Sequence, residues 1–504
     1  MNTRPNILIL MSDDQGAWAL GCSGNGEIQT PALDTIAQTG MRFDNFFCVS
    51  PVCSPARASI LSGTIPSVHG VQDWLRGGNL NMDSYPHLKD NPLYACEDKA
   101  IPYLQDVTCF TDIFAANGYT CALSGKWHMG DSAHPQHGFT RWFTIARGGC
   151  AYFQPDLMID GQVVESGHYI TDLITEDALK NLDDFSKSNE PFCLCVNYTA
   201  PHAPWSPQNH PQEFLDLYKD CPFDSVPNEP LHPWLSPAAP YKPGPEGRRE
   251  NLTGYYAAIS AMDSGIGKIL DKLNSSGLAE NTLVIFTSDN GMNMGHHGIW
   301  GKGNGTYPQN MYDTSVKIPF MASWPGHIPQ KTVSHHMLSH YDIFPTLMDI
   351  AGLTADTKQP LPGHSFAEIL YGGEQSEEQP VVVFDEYGPV RMIRTREWKY
   401  ILRIPAGPDE LYHISEDPEE KNNLIFDPSC AIIRRELRKE LFAWFTKWVD
   451  PKVDGAYQLN TGYGQLCRPG VYSNGNEVFA EEDSFRKAIH IAANNLTLIT
   501  GEQP

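Results

Sequence analysis

Four short runs, residues 6–11, 192–198, 282–288 and 320–324, are apolar and β-branched on successive positions and do not alternate with polar ones. Alternation marks a strand with one wet face, whereas an unbroken apolar run marks a strand covered on both faces. Strands of that kind belong to a central sheet with helices packed on each side, and segments of helical period do lie between these runs. The clearest spans 252–273, where Tyr255, Ile259, Met262, Ile266, Ile269 and Leu273 recur three and four apart. A second helix is expected over 341–351, ended by Gly352. The expected fold class is therefore α/β, with a large, mostly parallel central sheet flanked by helices.

At 504 residues the chain has room for more than one domain. After about residue 372 the pattern changes. Residues 380–385 and 390–403 read as short strands, and a helix follows with Leu437, Leu441, Phe445 and Trp448 on one face. This predicts a larger α/β domain over 1–372 and a smaller α+β domain over 373–504, with an antiparallel sheet and a helix. Residues 204–245 hold eleven prolines and little periodicity, which predicts a long ordered loop or lid.

Sixty acidic residues against thirty-six basic ones give a net charge of −24, so the surface should repel nucleic acid and anionic membranes. A small anionic substrate remains compatible with this, because salt screens distant surface charge within about 8 Å. No run approaches the roughly 20 apolar residues needed to span a bilayer. The opening segment is too short for a secretory signal. The chain as it stands is expected to be cytoplasmic, or periplasmic if an export signal has been removed. Its twelve cysteines show no metal-finger spacing, and most are expected to be reduced core residues.

Asp13 and Asp14 follow the first apolar run, and Asp289 and Asn290 follow the run 282–288 in the same way. Ligands of an open parallel sheet gather outside the carboxyl ends of its strands, so the two oxygen-rich pairs can converge on one hard cation. The stretch Cys53-Ser-Pro-Ala-Arg57, running on to Gly63, combines a thiol, a rigid proline and a cation one helical turn later. Lys126 and His128 lie two apart at the end of a strand-like run, where alternation points both to one side. His202 stands between Pro201 and Pro204, and Lys302 between two glycines.

Together these segments resemble the type I sulfatase family of the alkaline-phosphatase-like superfamily. Cys-x-Pro-x-Arg with glycine ten residues after the cysteine is that family's maturation signature, and Gly125-Lys-Trp-His-Met-Gly130 matches its second motif. The opening 6–15, the segment 30–40 and the stretch 410–424 match as well. The resemblance implies that a maturation enzyme oxidises Cys53 to formylglycine. It also implies that Asp13, Asp14, Asp289 and Asn290, with modified residue 53, hold one divalent cation, calcium foremost and magnesium as the alternative. Arg57, Lys126, His128, His202 and Lys302 would then surround the sulfate, with His128 as a base and His202 or Lys302 as the proton donor to the leaving oxygen. Thr140 and Asp313 depart from the family pattern, in places that do not touch this chemistry.

Sulfate ester cleavage needs a nucleophile at sulfur, charge neutralisation on the equatorial oxygens and a proton for the leaving alcohol, and a metal with several cations supplies the second. The one-metal pattern with two lysines favours sulfate over the competing phosphoester or phosphonate ester hydrolysis on the same fold. A catalytically silent binder of sulfated glycans is the reading from another class. His69, Trp74, Arg76, Arg147, His297 and Tyr307 are candidates for the substrate rim, suited to stacking on sugar rings and to contacts with carboxylates or hydroxyls. The expected substrate is a small sulfated saccharide derived from glycosaminoglycan or algal glycan, attacked from its end. Aryl and choline-type sulfates are the alternatives.

Overall fold

The first strand, β1 (Asn6–Ser12), is buried at every position, as its unbroken apolar run predicts. The computed structural model describes residues 4–373 and 383–481. Within them the remaining strands of the main sheet are β2 (Met41–Phe47), β3 (Thr120–Gly125), β4 (Phe139–Ile145), β5 (Asp156–Ile159), β6 (Gln162–Glu165), β7 (Phe192–Asn197) and β8 (Thr282–Ser288). A two-residue ribbon follows, β9 (Asn293–Met294) with β10 (Trp300–Gly301), and then β11 (Lys317–Ser323) and β12 (Thr332–Ser339). The ten-stranded sheet has the order β12-β2-β11-β8-β1-β7-β3-β4-β5-β6.

The middle of this sheet is parallel, with β8, β1, β7, β3 and β4 running in one direction. Their connections are long and carry helices, as parallel pairing requires. β11, the strand built on the run 320–324, is antiparallel to both its neighbours, so the sheet is mixed. An unbroken apolar run reports burial and not direction. The short edge strands β5 and β6 are also antiparallel.

Pleating sends successive residues of β1 to different cores. Ile7, Ile9 and Met11 join a cluster with Ile60 and Leu61 of the helix Cys53–Ser62 and with Phe344 and Leu347 of the helix Ile343–Ala351. Leu8 and Leu10 join the opposite cluster, with Ile174 and Leu182 of the helix Ile170–Phe185 and Met262 and Ile266 of the helix Gly244–Ser275. That last helix begins well before the apolar stripe at 252, because its first two turns are polar and leave no periodic signal. Proline in its first turn needs no helical hydrogen-bond partner and suits the start. The proline-rich stretch therefore ends at Pro243, and it contains the short helix Gln212–Asp216.

A second, four-stranded antiparallel sheet contains β13 (Val383–Tyr387), β14 (Val390–Arg394), β15 (Trp398–Arg403) and β16 (Glu410–His413). Residues 380–382 of the expected strand lie outside the described residues, and the run 390–403 is two strands joined by a turn. The helix Ala431–Trp448 covers this sheet with Leu437, Leu441 and Phe445, while Trp448 is half-buried. Buried polar ties bind this sheet to the first: Lys399 pairs with Asp313 at 2.5 Å, and Arg403 donates to the carbonyl of Gln309 at 2.7 Å. Among the described residues no helix is long and apolar enough to cross a membrane.

Candidate active site

Parallel pairing of β1 with β8 sets Ser12 beside Ser288, so the residues that follow leave the sheet side by side. Asp13 and Asp14 thereby meet Asp289 and Asn290. One oxygen of each of the three carboxylates lies within 4.8 Å of the others, and all three side chains are buried. Asp14 takes a left-handed backbone conformation, φ 66°, which is uncommon for a non-glycine residue and typical of functional sites.

Each carboxylate has its own cation. Lys126 Nζ lies 2.5 Å from Asp13 Oδ2, Lys302 pairs with Asp14, and Arg57 reaches Asp289 Oδ2 through Nε at 2.9 Å and Nη2 at 2.8 Å. Burial pushes the carboxyl of Asp13 up, but Lys126 and His202 hold it below its ordinary value; Lys302 does the same for Asp14. Burial works against the charge of Lys302, but Asp14, together with the neighbouring Cys53, Asp13 and Asp289, outweighs it and raises its pKa.

Two buried oxygens in this cluster, Asp13 Oδ1 and Asn290 Oδ1, accept no hydrogen bond. Buried acceptors normally have partners. Carboxylate and amide oxygens with unfilled acceptor capacity are the donor set of a hard divalent cation, and they fit one here. A second grouping, Cys109, Asp112 and His137, is different: Asp112 Oδ2 accepts the amide of Cys109 and lies 3.0 Å from His137 Nδ1, capping a short helix.

Cys53 is the first residue of a helix whose ten residues are all buried. Burial raises its thiol pKa despite nearby Lys126 and Lys302, so the unmodified side chain is not a ready thiolate. Its Sγ lies 3.4 Å from His128 Nδ1. One turn on, Arg57 runs beneath the site, also donating to the carbonyl of Lys126 at 3.1 Å.

His128 Nε2 lies 2.9 Å from the carbonyl of Leu75. A carbonyl only accepts, so Nε2 carries the proton and the lone pair of Nδ1 faces residue 53. Burial, aided by Lys126, pushes the imidazole well below its ordinary pKa and keeps it neutral. The ring lies close against Gly148, where an added Cβ would come within 1.9 Å of Nε2. Gly148→Ala is accordingly expected to displace the ring and lower kcat about 10²-fold, the cost of misplacing a catalytic group. Steady-state kinetics beside a thermal melt, with the melt near wild type, checks this.

His202 Nδ1 donates to the carbonyl of Ala203 at 2.7 Å, which leaves Nε2 facing Asp14 Oδ2 at 3.8 Å. Its side chain is 32% exposed and reaches the cavity above the site. That cavity, about 640 Å³, has Asp14, Cys53, His128, His202 and Lys302 among its lining.

Of the six rim candidates, Trp74, Arg76 and Arg147 line the cavity. The other three are not in its wall. His69 is buried, with Nε2 3.0 Å from Ser59 Oγ and Nδ1 accepting the amide of Val71, so its polar atoms serve packing. His297 stacks on Tyr312 at 3.8 Å, and Tyr307 is 52% exposed on the outer surface. The wall also contains Asn79, Glu97, Trp205, Met292 and Trp300, which no motif marks. Glu97 accepts from the amides of Asn79 and Leu80 and from the Asn79 side chain.

The profile described as Sulfatase matches residues 5–353, and one described as N-sulphoglucosamine sulphohydrolase, C-terminal, matches 295–447. An ulvan-active sulfatase of Formosa agariphila is 29% identical over 459 residues, covering 87% of this chain and 80% of the relative. An N-acetylglucosamine-6-O-sulfatase of Bacteroides thetaiotaomicron is 27% identical, covering 87% and 86%, and a choline-sulfatase of Rhizobium meliloti is 28% identical, covering 84% and 83%. A protein solved in complex with its substrate D-glucosamine-2-N,6-O-disulfate superposes with a TM-score of 0.74 at 24% identity, over 90% of this chain and 100% of that one, a likeness of fold. With more than half of its length matched by the family, this chain, whose Asp14, Cys53, His128, His202 and Lys302 line one cavity, belongs to the sulfatase family and is a sulfuric ester hydrolase.

Proposed function

We propose that the protein removes sulfate from the end of a small sulfated saccharide, with residue 53 as formylglycine and one divalent cation, calcium foremost, held by Asp13, Asp14, Asp289 and Asn290. The observation that carries the substrate class is the cavity. At about 640 Å³ it is far larger than a sulfate group needs and falls in the size range of small-molecule sites. Its lining includes Trp74, Trp205 and Trp300 together with Arg76 and Arg147, which suits a hydroxylated ring bearing anionic groups. The sugar-directed names among the relatives support the same reading. A choline ester is disfavoured, because a quaternary ammonium seeks aromatic faces without competing cations.

Bound at the carboxylate cluster, the cation would supply charge neutralisation for the sulfate oxygens. The formylglycine hydrate would supply two hydroxyls, one to attack sulfur and one to expel sulfate afterwards. His128 Nδ1 faces residue 53 and takes a proton there. Lys302, at the cavity floor, neutralises developing charge on the sulfate. Arg57 stays below, holding Asp289. His202 Nε2 opens to the cavity, and the ring, entering the step protonated on both nitrogens, keeps its Nδ1 proton on the Ala203 carbonyl and gives the Nε2 proton to the leaving oxygen. Lys302 is the poorer donor, since its pairing with Asp14 stabilises the charged form.

Turnover of defined sulfated saccharides, an aryl sulfate, an aryl phosphate and choline sulfate by the matured enzyme tests this reading. Preference for a saccharide sulfate is the expected result, and preference for choline sulfate or the phosphate would refute it. Chelation should abolish turnover. Asp289→Ala should lose the bound metal and, by leaving the Arg57 charge buried without its closest partner, cost about 3–5 kcal/mol of stability. Metal analysis and denaturant unfolding measure the two effects.

A further inference from the structure

Residues 448–481 lie beyond both family matches, which end at 353 and 447. Part of that segment nevertheless builds a wall of the active site. Gly462 lines the cavity, and its carbonyl accepts the indole N–H of Trp74 at 3.2 Å.

Gln465 is the centre of the attachment and is fully buried. Its main chain pairs with the loop 72–77 on both sides of Leu75: its amide donates to the carbonyl of Trp74 at 2.8 Å, and its carbonyl accepts the amides of Arg76 and Gly77 at 2.9 and 3.2 Å. Its side-chain Oε1 accepts the amides of Gln72 and Asp73 at 2.7 and 3.2 Å, while Nε2 donates to the carbonyls of Gly70 and Cys467 at 2.9 Å each. Four amides of this loop therefore end on one residue from the far end of the chain. The other two, of Trp74 and Leu75, end on Asp73 and on Ser54 Oγ. Asp73 also accepts from the Tyr387 hydroxyl at 2.6 Å and from the amide of Gly464 at 3.2 Å. Close packing adds to this, since a Cβ on Gly464 would meet Arg76 Cβ at 2.8 Å and the Trp74 ring at 3.0 Å.

We propose that residues 460–465 form a specificity element of the active site, in which Gln465 is a positioning residue that holds Trp74 and Arg76 to grip the leaving group. Only the nature of that group, a sugar, rests on the saccharide reading above. An irregular loop carries its side chains as accurately as its backbone is held, and loop amides without helix or sheet partners need an outside acceptor. Gln465 provides one. The side chains around the sulfate come from other segments and meet this loop only at Leu75, whose carbonyl lies 2.9 Å from His128 Nε2 and whose amide ends on Ser54 Oγ, whereas Trp74 and Arg76 reach the cavity above, so the element governs the leaving group more than the sulfate.

The test separates the two subsites. Inorganic sulfate, the product, occupies only the floor, so its inhibition constant reports the floor alone, whereas KM for the preferred ester reports both. Gln465→Met keeps the main-chain pairing and removes the side-chain bonds. It should raise KM about tenfold or more, the scale of one lost specificity contact, with the inhibition constant of sulfate unchanged. Trp74→Ala should do the same, and combining it with Gln465→Met should add little, since the second acts through the first. An unchanged KM in folded Gln465→Met, or KM and the sulfate constant rising together, would overturn the proposal. If wild type prefers an ester without a sugar, the saccharide reading falls, and the same KM comparison still judges the element. Should Gln465→Met not fold, hydrogen exchange decides. The preferred ester bound to Cys53→Ala should slow exchange in both 72–77 and 460–466, inorganic sulfate in neither, and slowing confined to 72–77 would overturn it.

Discussion

Cys53→Ala is expected to lower kcat/KM by about 10⁴- to 10⁶-fold, the scale of losing a nucleophile while the rest of a site stays in place. The side chain lies at the start of a buried helix, facing the lone pair of His128 at 3.4 Å. Removing it leaves His128 with no proton to take and sulfur with no attacking atom. Folding should change little, because a small buried side chain is exchanged for a slightly smaller one. Mass spectrometry of the peptide containing residue 53 from active enzyme should show aldehyde in place of thiol. Full activity with wholly unmodified Cys53 would sink the assignment, as the burial-raised thiol is itself a poor nucleophile.

The second large effect is selective. A phenolate leaves from sulfur with little help, whereas a sugar alcohol needs a proton in the transition state. His202→Ala is expected to slow a saccharide sulfate by about 10²- to 10⁴-fold and an activated aryl sulfate much less. Lys302→Ala should harm both substrates, because it removes charge neutralisation from the sulfate and strands Asp14. Comparing kcat/KM for the two variants on the two esters decides between them. Equal losses on both esters for His202→Ala would leave it a sulfate-binding group.

The parts of the molecule visible in the sequence are those where one residue type admits one environment. Burial on both faces demands unbroken apolar runs, so β1, β7 and β8 could be read directly. The residues at their carboxyl ends could then be read as a cluster. Direction was not readable, so nothing in the run 320–324 told that β11 is antiparallel to its neighbours. The helix Gly244–Ser275 was visible only where it touches the core.

At the rim, sequence reasoning separated Trp74, Arg76 and Arg147 from their surroundings but took His69, His297 and Tyr307 with them. Aromatic and imidazole groups serve packing and binding equally well, and only placement tells the two apart. Glu97 and Gln465 carry no signal, because their role is to satisfy backbone amides of a loop distant in sequence.

Cys53 is 3% exposed, and every residue from 53 to 62 is buried with it. An enzyme that recognises the cysteine, proline and arginine of this segment must hold several residues of it in extended contact, and the finished protein offers none of them. On the formylglycine reading proposed above, biogenesis then has an order. Oxidation would have to come while the chain is still being made or before it closes. Chains that close first are expected to stay folded and inactive, whatever oxidising enzyme is supplied later.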